Sequence, residues 1–284
     1  MSDHRPSPIA GTWYPGDAEA LARSVDKQLA EAVLEPAAGP VVGLVVPHAG
    51  HRYSGGVAAH AFHAVAGLSP ETVAIVSPMH QAHSAAVLST GHEAYWTPLG
   101  TVDVDLALLT AFESALHRAT GVTVVRVRRD TEHSLEIELP FLQRCLKSPF
   151  RLLPIMLRDQ SAAIARAVGR ALGEVLRDRE ALLVASSDLS HFYPASTARR
   201  LDGELLARLA AFDPEALLRA EDEGVGFACG KGAVAAVLWA ARALGADVVR
   251  ILDYANSGDV TGDDDSVVGY GAAAIYRSLG ANAP

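Results

Sequence analysis

Six short runs of apolar, largely β-branched residues constrain this chain more than any other feature. They span residues 41–46, 72–76, 122–127, 152–157, 181–185 and 248–252. Runs this short and continuous suit strands covered on both faces; a half-exposed strand would show a polar residue at every second position. Between them, residues 18–34, 56–65, 104–116, 161–176, 199–211 and 232–244 carry apolar side chains at helical spacing. Alternating strands and helices predict an α/β fold with a mixed or largely parallel central sheet flanked by helices.

The 284 residues fit one such domain, 1–284. There is no internal repeat, low-complexity tract or charge block, and residues 35–40 read as a loop rather than a linker. Residues 280–284 are expected to fray. No apolar run approaches the roughly 18–20 residues that a membrane helix needs. The first residues lack the basic-then-apolar layout of a signal peptide, so a cytoplasmic location is expected. Lys and Arg number 24 against 33 Asp and Glu, a formal charge of −9. The basic groupings are short: Arg126, Arg128 and Arg129, then Arg199 and Arg200. Nucleic acid is therefore not an expected partner, nor is a membrane.

The chemistry is expected where the strands end. Residues 41–46 run into Pro47-His48-Ala49-Gly50, residues 72–76 into Ser77-Pro78-Met79-His80, and residues 181–185 into Ser186-Ser187-Asp188-Leu189-Ser190-His191. Ligands of open α/β sheets bind just outside the carboxyl ends of the strands. Proline cannot donate to a ladder, so Pro47 and Pro78 are expected to stop their strands shortly before a histidine. His60, His63, His92 and His117 read as structural, and His51 and His83 as bystanders.

The segment Asp130-Thr131-Glu132-His133-Ser134-Leu135-Glu136 reads as an acidic helix start that suits the macrodipole. That accounts for the carboxylates but not for His133, which would serve there as a neutral base. Two cysteines are too few for a disulfide framework. Cys145 lies on an apolar helix face, whereas Cys229 sits among Gly226, Gly230 and Gly232, where backbone or ligand can come close.

Ala10-Gly11-Thr12-Trp13-Tyr14-Pro15, Pro47-His48-Ala49-Gly50 with Tyr53-Ser54-Gly55, Glu132-His133-Ser134-Leu135-Glu136 with Leu139-Pro140, Ser186-Ser187-Asp188 with His191, and Cys229-Gly230 occur in that order. In this ordered set, from Gly11 to about Tyr276, the chain resembles the Memo family. The resemblance implies a fold similar to that of class III extradiol dioxygenases. It also implies a metal held by His48, His80 and Cys229, with His133, Asp188 and His191 as the remaining pocket residues. The chain departs from the family's Gly-Pro-Ser-His motif at Ser77 and Met79 but keeps the histidine.

Imidazole and thiolate suit iron(II) or copper, and zinc as well. Three protein ligands leave positions open for oxygen or a small-molecule substrate. The dioxygenases have a carboxylate where this chain has Cys229, which argues against ring cleavage, while an exposed thiolate would offer reversible oxidation. The leading expectation is thus a metal-dependent, dioxygenase-like oxidoreductase. AMMECR-like and radical-SAM proteins are the partners that the resemblance suggests. A non-catalytic metal- or peptide-binding protein is the alternative. A hydrolase using Ser186 or Ser187 with His191 and Asp188 lacks the Gly-x-Ser-x-Gly elbow. No dinucleotide or Walker loop is present.

Overall fold

The computed structural model describes residues 3–33 and 35–279. Leu34, the expected end of the first helix, and residues 280–284, expected to fray, lie outside the described residues. In chain order the elements begin with β1 (His4–Arg5), α1 (Ala18–Glu31), β2 (Val41–Val46), α2 (His51–His63), β3 (Thr72–Pro78), β4 (Val87–Thr90), β5 (Ala94–Thr97), β6 (Gly100–Asp103), α3 (Leu106–Thr120) and β7 (Val124–Val127). A 3-10 turn (Glu136–Glu138) leads into α4 (Leu139–Cys145), followed by β8 (Arg151–Leu157), α5 (Ala162–Val175), β9 (Ala181–Ser186), β10 (His191–Tyr193) and α6 (Ala195–Ala210). The chain closes with α7 (Pro214–Asp222), α8 (Lys231–Ala243), β11 (Val248–Asn256), α9 (Gly258–Thr261) and β12 (Val267–Tyr276).

Among the described residues the main sheet has nine strands, in the order β10, β12, β2, β9, β3, β8, β4, β7, with β11 paired to β12. Its centre, β2-β9-β3-β8, is parallel. β12 joins β2 antiparallel and β4 joins β8 antiparallel, so the sheet is mixed. A small second sheet orders β1, β5 and β6. Successive side chains of a strand point to opposite faces. Leu44, Val45 and Val46 are all buried, as are Val73 to Val76, so both faces of the central strands are covered.

Helix α8 packs on β2, β3, β8 and β9, with α5 behind it, while α2 packs on β2, β11 and β12. The α5–α8 approach needs Gly169, where a Cβ would lie 2.6 Å from the Ala236 carbonyl oxygen. Side-chain caps fix the helix starts: Asp17 accepts from the Ala20 N–H at 2.9 Å, and Asp105 from the Leu108 N–H at 2.9 Å.

Register brings the strand ends level. Val46 sits opposite Ser186 across β2 and β9, and Val76 opposite Ala185 across β3 and β9. Pro47 lies just past β2, as expected, but Pro78 does not stop β3: it is the strand's last residue, paired with Leu157. A proline at the final position forfeits at most one ladder bond, and its carbonyl accepts from Ser134 Oγ at 2.8 Å. Helix α2 starts at His51, five residues before the apolar spacing suggests, and so brings Tyr53 onto a helix.

His51 is part of the core rather than a bystander. It is buried between the rings of Tyr14 and Phe141, and its Nε2 donates to the Ile137 carbonyl at 3.0 Å. Its Nδ1 is buried without a partner among the described residues. Burial holds its pKa down at about 4, the Ile137 bond opposing only partly. The unfolded chain therefore takes up the proton first. Stability from this residue is fully present above about pH 6.5 and lost as pH falls towards 4. Roughly 3 kcal/mol is at stake. Urea denaturation across that window should show a steeper loss for the wild type than for His51→Phe; parallel declines would remove His51 as the cause.

Candidate functional site

The three aligned strand ends open into a cavity of about 440 Å³. His48, His80, His133, Asp188 and His191 line it, walled by Thr12, Trp13, Tyr53, Val268 and Tyr270. His48 follows β2, His80 follows β3, and Asp188 follows β9. His191 arrives through a bulge against β12, where Phe192 adopts a left-handed φ of 63°. A non-glycine residue in that region costs on the order of 1 kcal/mol or more. The turn leaves Phe192 exposed while His191 lines the cavity.

Cys229 reaches the same place from the N-terminal side of α8. Its N–H donates to the Asp188 carbonyl at 3.2 Å, and the Cys229 carbonyl accepts from Gln160 Nε2 at 2.5 Å. Cys229 Sγ lies 3.1 Å from His48 Nε2. Gly230 allows this approach: a Cβ there would meet the Ser186 carbonyl oxygen and come within 2.8 Å of Ser187 Cβ. Cys229 is partly buried rather than the exposed thiolate expected. Burial pushes its thiol pKa up, and the nearby Asp188 charge pushes it further.

Each imidazole is held through Nδ1. His48 Nδ1 lies 2.8 Å from Ser186 Oγ, and its backbone N–H donates to Asp188 Oδ1 at 2.7 Å. His80 Nδ1 lies 3.0 Å from Glu132 Oε1, and its backbone N–H donates to Glu132 Oε2 at 2.6 Å. His191 Nδ1 donates to the Leu189 carbonyl at 2.7 Å. A carboxylate and a carbonyl only accept, so the neutral rings of His80 and His191 carry their hydrogen on Nδ1 and keep the Nε2 lone pair. The Ser186 hydroxyl can donate or accept, and His48 Nε2 faces Cys229 Sγ. The ring of His133 stacks on that of His80, with centroids 4.9 Å apart, and lies 4.1 Å from that of Trp13.

Burial disfavours the charged forms of His48, His133 and His191. It lowers His48 well below the ordinary histidine value, with the His133 and His80 rings adding to the effect. It lowers His133 to about 4 against the opposing charge of Glu132, and it lowers His191. Asp188 rises to about 7 by burial, although the His48 and Ala49 N–H groups favour its anion.

The acidic segment before α4 is not a helix start. Helix α4 begins only at Leu139, and the carboxylates are buried on specific partners, Asp130 and Glu136 sharing Arg5. Glu132 binds His80 and also accepts from the His133 and Ser134 N–H groups. Burial opposes its ionisation, but these bonds hold its pKa well below the usual carboxylate range. Glu136 pairs with Arg5, and Glu138 meets Ser186. Sequence reasoning missed Glu132 as a holder of His80; the signal was an acid directly before His133, read as a helix-dipole effect. Trp13 and Tyr53 were noted only as parts of motifs, and Tyr270 lies on a strand that was not recognised.

Among the described residues, two groups of side chains could hold a metal ion: His48, His80 and Cys229, and also His80, Glu132 and His133. In each the donor atoms lie within 4.8 Å of one another. The first fits better, because Glu132 is already spent on the His80 and backbone N–H groups. Two imidazole nitrogens and a cysteine sulfur form a donor set that suits borderline transition metals. The serine-hydrolase alternative fails on geometry. Ser186 and Ser187 are almost fully buried, and Ser187 Oγ donates to the Asp188 carbonyl at 2.8 Å.

Gly230→Ala should cost about 1–3 kcal/mol by overpacking against backbone and displace Cys229. Thermal unfolding checks this, and an unchanged midpoint would show that the approach of Cys229 does not depend on that glycine.

A family model described as "Memo-like protein" matches residues 5–274. The MEMO1 family protein of Methanopyrus kandleri is 36% identical over 280 residues, covering 95% of this chain and 97% of that protein. The MEMO1 family protein of Nitrosopumilus maritimus is 34% identical over 273 residues, covering 93% and 96%. The crystal structure of an uncharacterized protein from Escherichia coli K12 matches with a TM-score of 0.48 at 15% identity, covering 82% of this chain and 99% of that one, too distant to carry function. The family match spans nearly the whole chain, and the relatives align almost end to end: the chain belongs to the Memo family.

Proposed function

We propose that this protein is a metal-dependent, dioxygenase-like redox enzyme whose ion is held by His48, His80 and Cys229. One observation carries the reading: ligand atoms of two imidazoles that line the cavity and of a cysteine beside them lie within 4.8 Å of one another. Iron or copper in such a site supplies one-electron chemistry and open positions for oxygen or a small organic molecule.

The chain's own residues supply the rest. Trp13, Tyr53 and Tyr270 wall the cavity with rings that exclude water and favour a flat, largely apolar substrate. His133 and His191, uncharged at neutral pH, are placed to accept a proton from a bound hydroxyl. Asp188, with a pKa of about 7, holds the His48 backbone and can carry a proton near neutrality. No helix among the described residues is long and apolar enough to cross a membrane.

Metal analysis of protein purified anaerobically without added metal tests the ligand set. Cys229→Ala should lose most of the bound iron or copper, and full occupancy would remove Cys229 from the set. Because the thiol must lose its proton to bind, affinity should fall as pH is lowered.

His133→Ala and His191→Ala should keep the metal while oxygen uptake with phenols, thiols or ascorbate falls by about 10²–10⁴-fold, the range of a lost acid–base group. Uptake equal to that of free metal ion in both wild type and variants would reject the enzyme and leave a metal-binding protein.

A further inference from the structure

We infer that Ser186 and Glu138 are positioning residues for His48: a buried hydrogen-bonded chain fixes its ring with the hydrogen on Nδ1 and leaves Nε2 bare towards Cys229. The consequence for metal rests on the proposed ligand set, but the tautomer is a property of the metal-free protein.

Ser186 Oγ has three polar neighbours: the Ser134 carbonyl oxygen at 2.6 Å, His48 Nδ1 at 2.8 Å and Glu138 Oε1 at 2.9 Å. A serine hydroxyl donates once and accepts twice. The Ser134 carbonyl can only accept, and two oxygens 2.6 Å apart require a hydrogen between them. The single Ser186 hydrogen therefore points to Ser134. The other two neighbours must then donate. His48 Nδ1 carries its hydrogen, and Glu138 donates a carboxyl proton.

The surroundings favour that assignment. Glu138 is 1% exposed at the end of the 3-10 turn. Burial raises its pKa well above the ordinary carboxylate value; the Ser186 contact opposes this and the Asp188 charge adds to it. With the hydrogen on Nδ1, the His48 Nε2 lone pair faces Cys229 Sγ at 3.1 Å. The two ligand imidazoles are thus oriented by different means. His80 answers to an ionised carboxylate directly, and His48 answers to a neutral acid through a hydroxyl. Outer partners of this kind typically change metal affinity by about 10–100-fold when removed.

The test uses nitrogen NMR of the full, metal-free chain, with the His48 signals assigned by their loss in His48→Gln, together with cobalt(II) titration. Wild type should show His48 protonated on Nδ1. Ser186→Ala should give a mixture of tautomers and weaken cobalt(II) binding at least about tenfold, with Ser186→Thr restoring both. Glu138→Gln should stay within about twofold of wild type, because its amide N–H replaces the carboxyl proton. A wild-type His48 carrying its hydrogen on Nε2 would overturn the inference. So would a Glu138→Gln variant that behaves like Ser186→Ala, since that shows an ionised Glu138. Should Ser186→Ala fail to fold, the wild-type spectrum and Glu138→Gln still decide. Absence of cobalt(II) binding to wild type would reject the metal reading alone.

Discussion

The Glu132 carboxylate accepts hydrogen bonds from the His80 backbone and ring and from the His133 and Ser134 N–H groups. One buried anion thereby ties the end of β3 to the loop before α4. A buried charge is tolerated only when its lone pairs are used, and those of Glu132 are. The loop's other side is fastened by Arg5, which donates to the Glu132 carbonyl at 2.6 Å and pairs with Asp130 and Glu136. Tyr14 adds a bond to Glu136 at 2.7 Å, and Trp13, one residue earlier, walls the cavity. Arg5, Trp13 and Tyr14 therefore help to build the site. Removing Arg5 would leave two buried carboxylates, Asp130 and Glu136, without their cation.

The central strands were legible because burial on both faces imposes a continuous apolar run. Residues 41–46 match β2, and 72–76 and 181–185 fall one or two residues short of β3 and β9. β12 was not legible. Its Gly269, Gly271 and Ala272 to Ala274 lack β-branching because other groups need the space: a Cβ at Gly269 would strike the Asp202 carboxylate, and one at Gly271 would press on Leu206 and Leu189. Tertiary crowding selected small residues there and erased the strand signal. The short strands β4, β5 and β6 fell below the length at which periodicity speaks.

The site was legible in its residues and not in its connections. Strand ends pointed to His48, His80 and His191; in the fold Asp188 follows β9 directly, and His191 comes five residues after that strand, on β10. The resemblance to the Memo family pointed to Cys229. No local pattern says that Glu132 faces His80, 52 residues away, or that Ser186 faces His48 across 138 residues. These are contacts of the folded chain. The same limit hid the partners of the structural histidines: His92 lies between Asp3 and the Arg128 carbonyl, and His63 Nδ1 meets the Leu29 carbonyl.

The donor set follows from how the buried acids are used. A site of two histidines and one carboxylate needs an acid with a free oxygen aimed at the Nε2 atoms. Glu132 is committed to the far side of the His80 ring. Asp188 is committed to the His48 backbone, and Glu138 lies behind Ser186. Every acid near the two imidazoles therefore works from behind them or on the backbone, and the group that faces them is sulfur, admitted by Gly230. A thiolate is softer and more electron-donating than a carboxylate, and it must shed a proton that burial makes it hold. On the proposed ligand set, the scaffold keeps the two histidines while changing both the electron density and the proton balance of the third donor. A carboxylate would arrive already ionised, whereas sulfur binds only after giving up that proton.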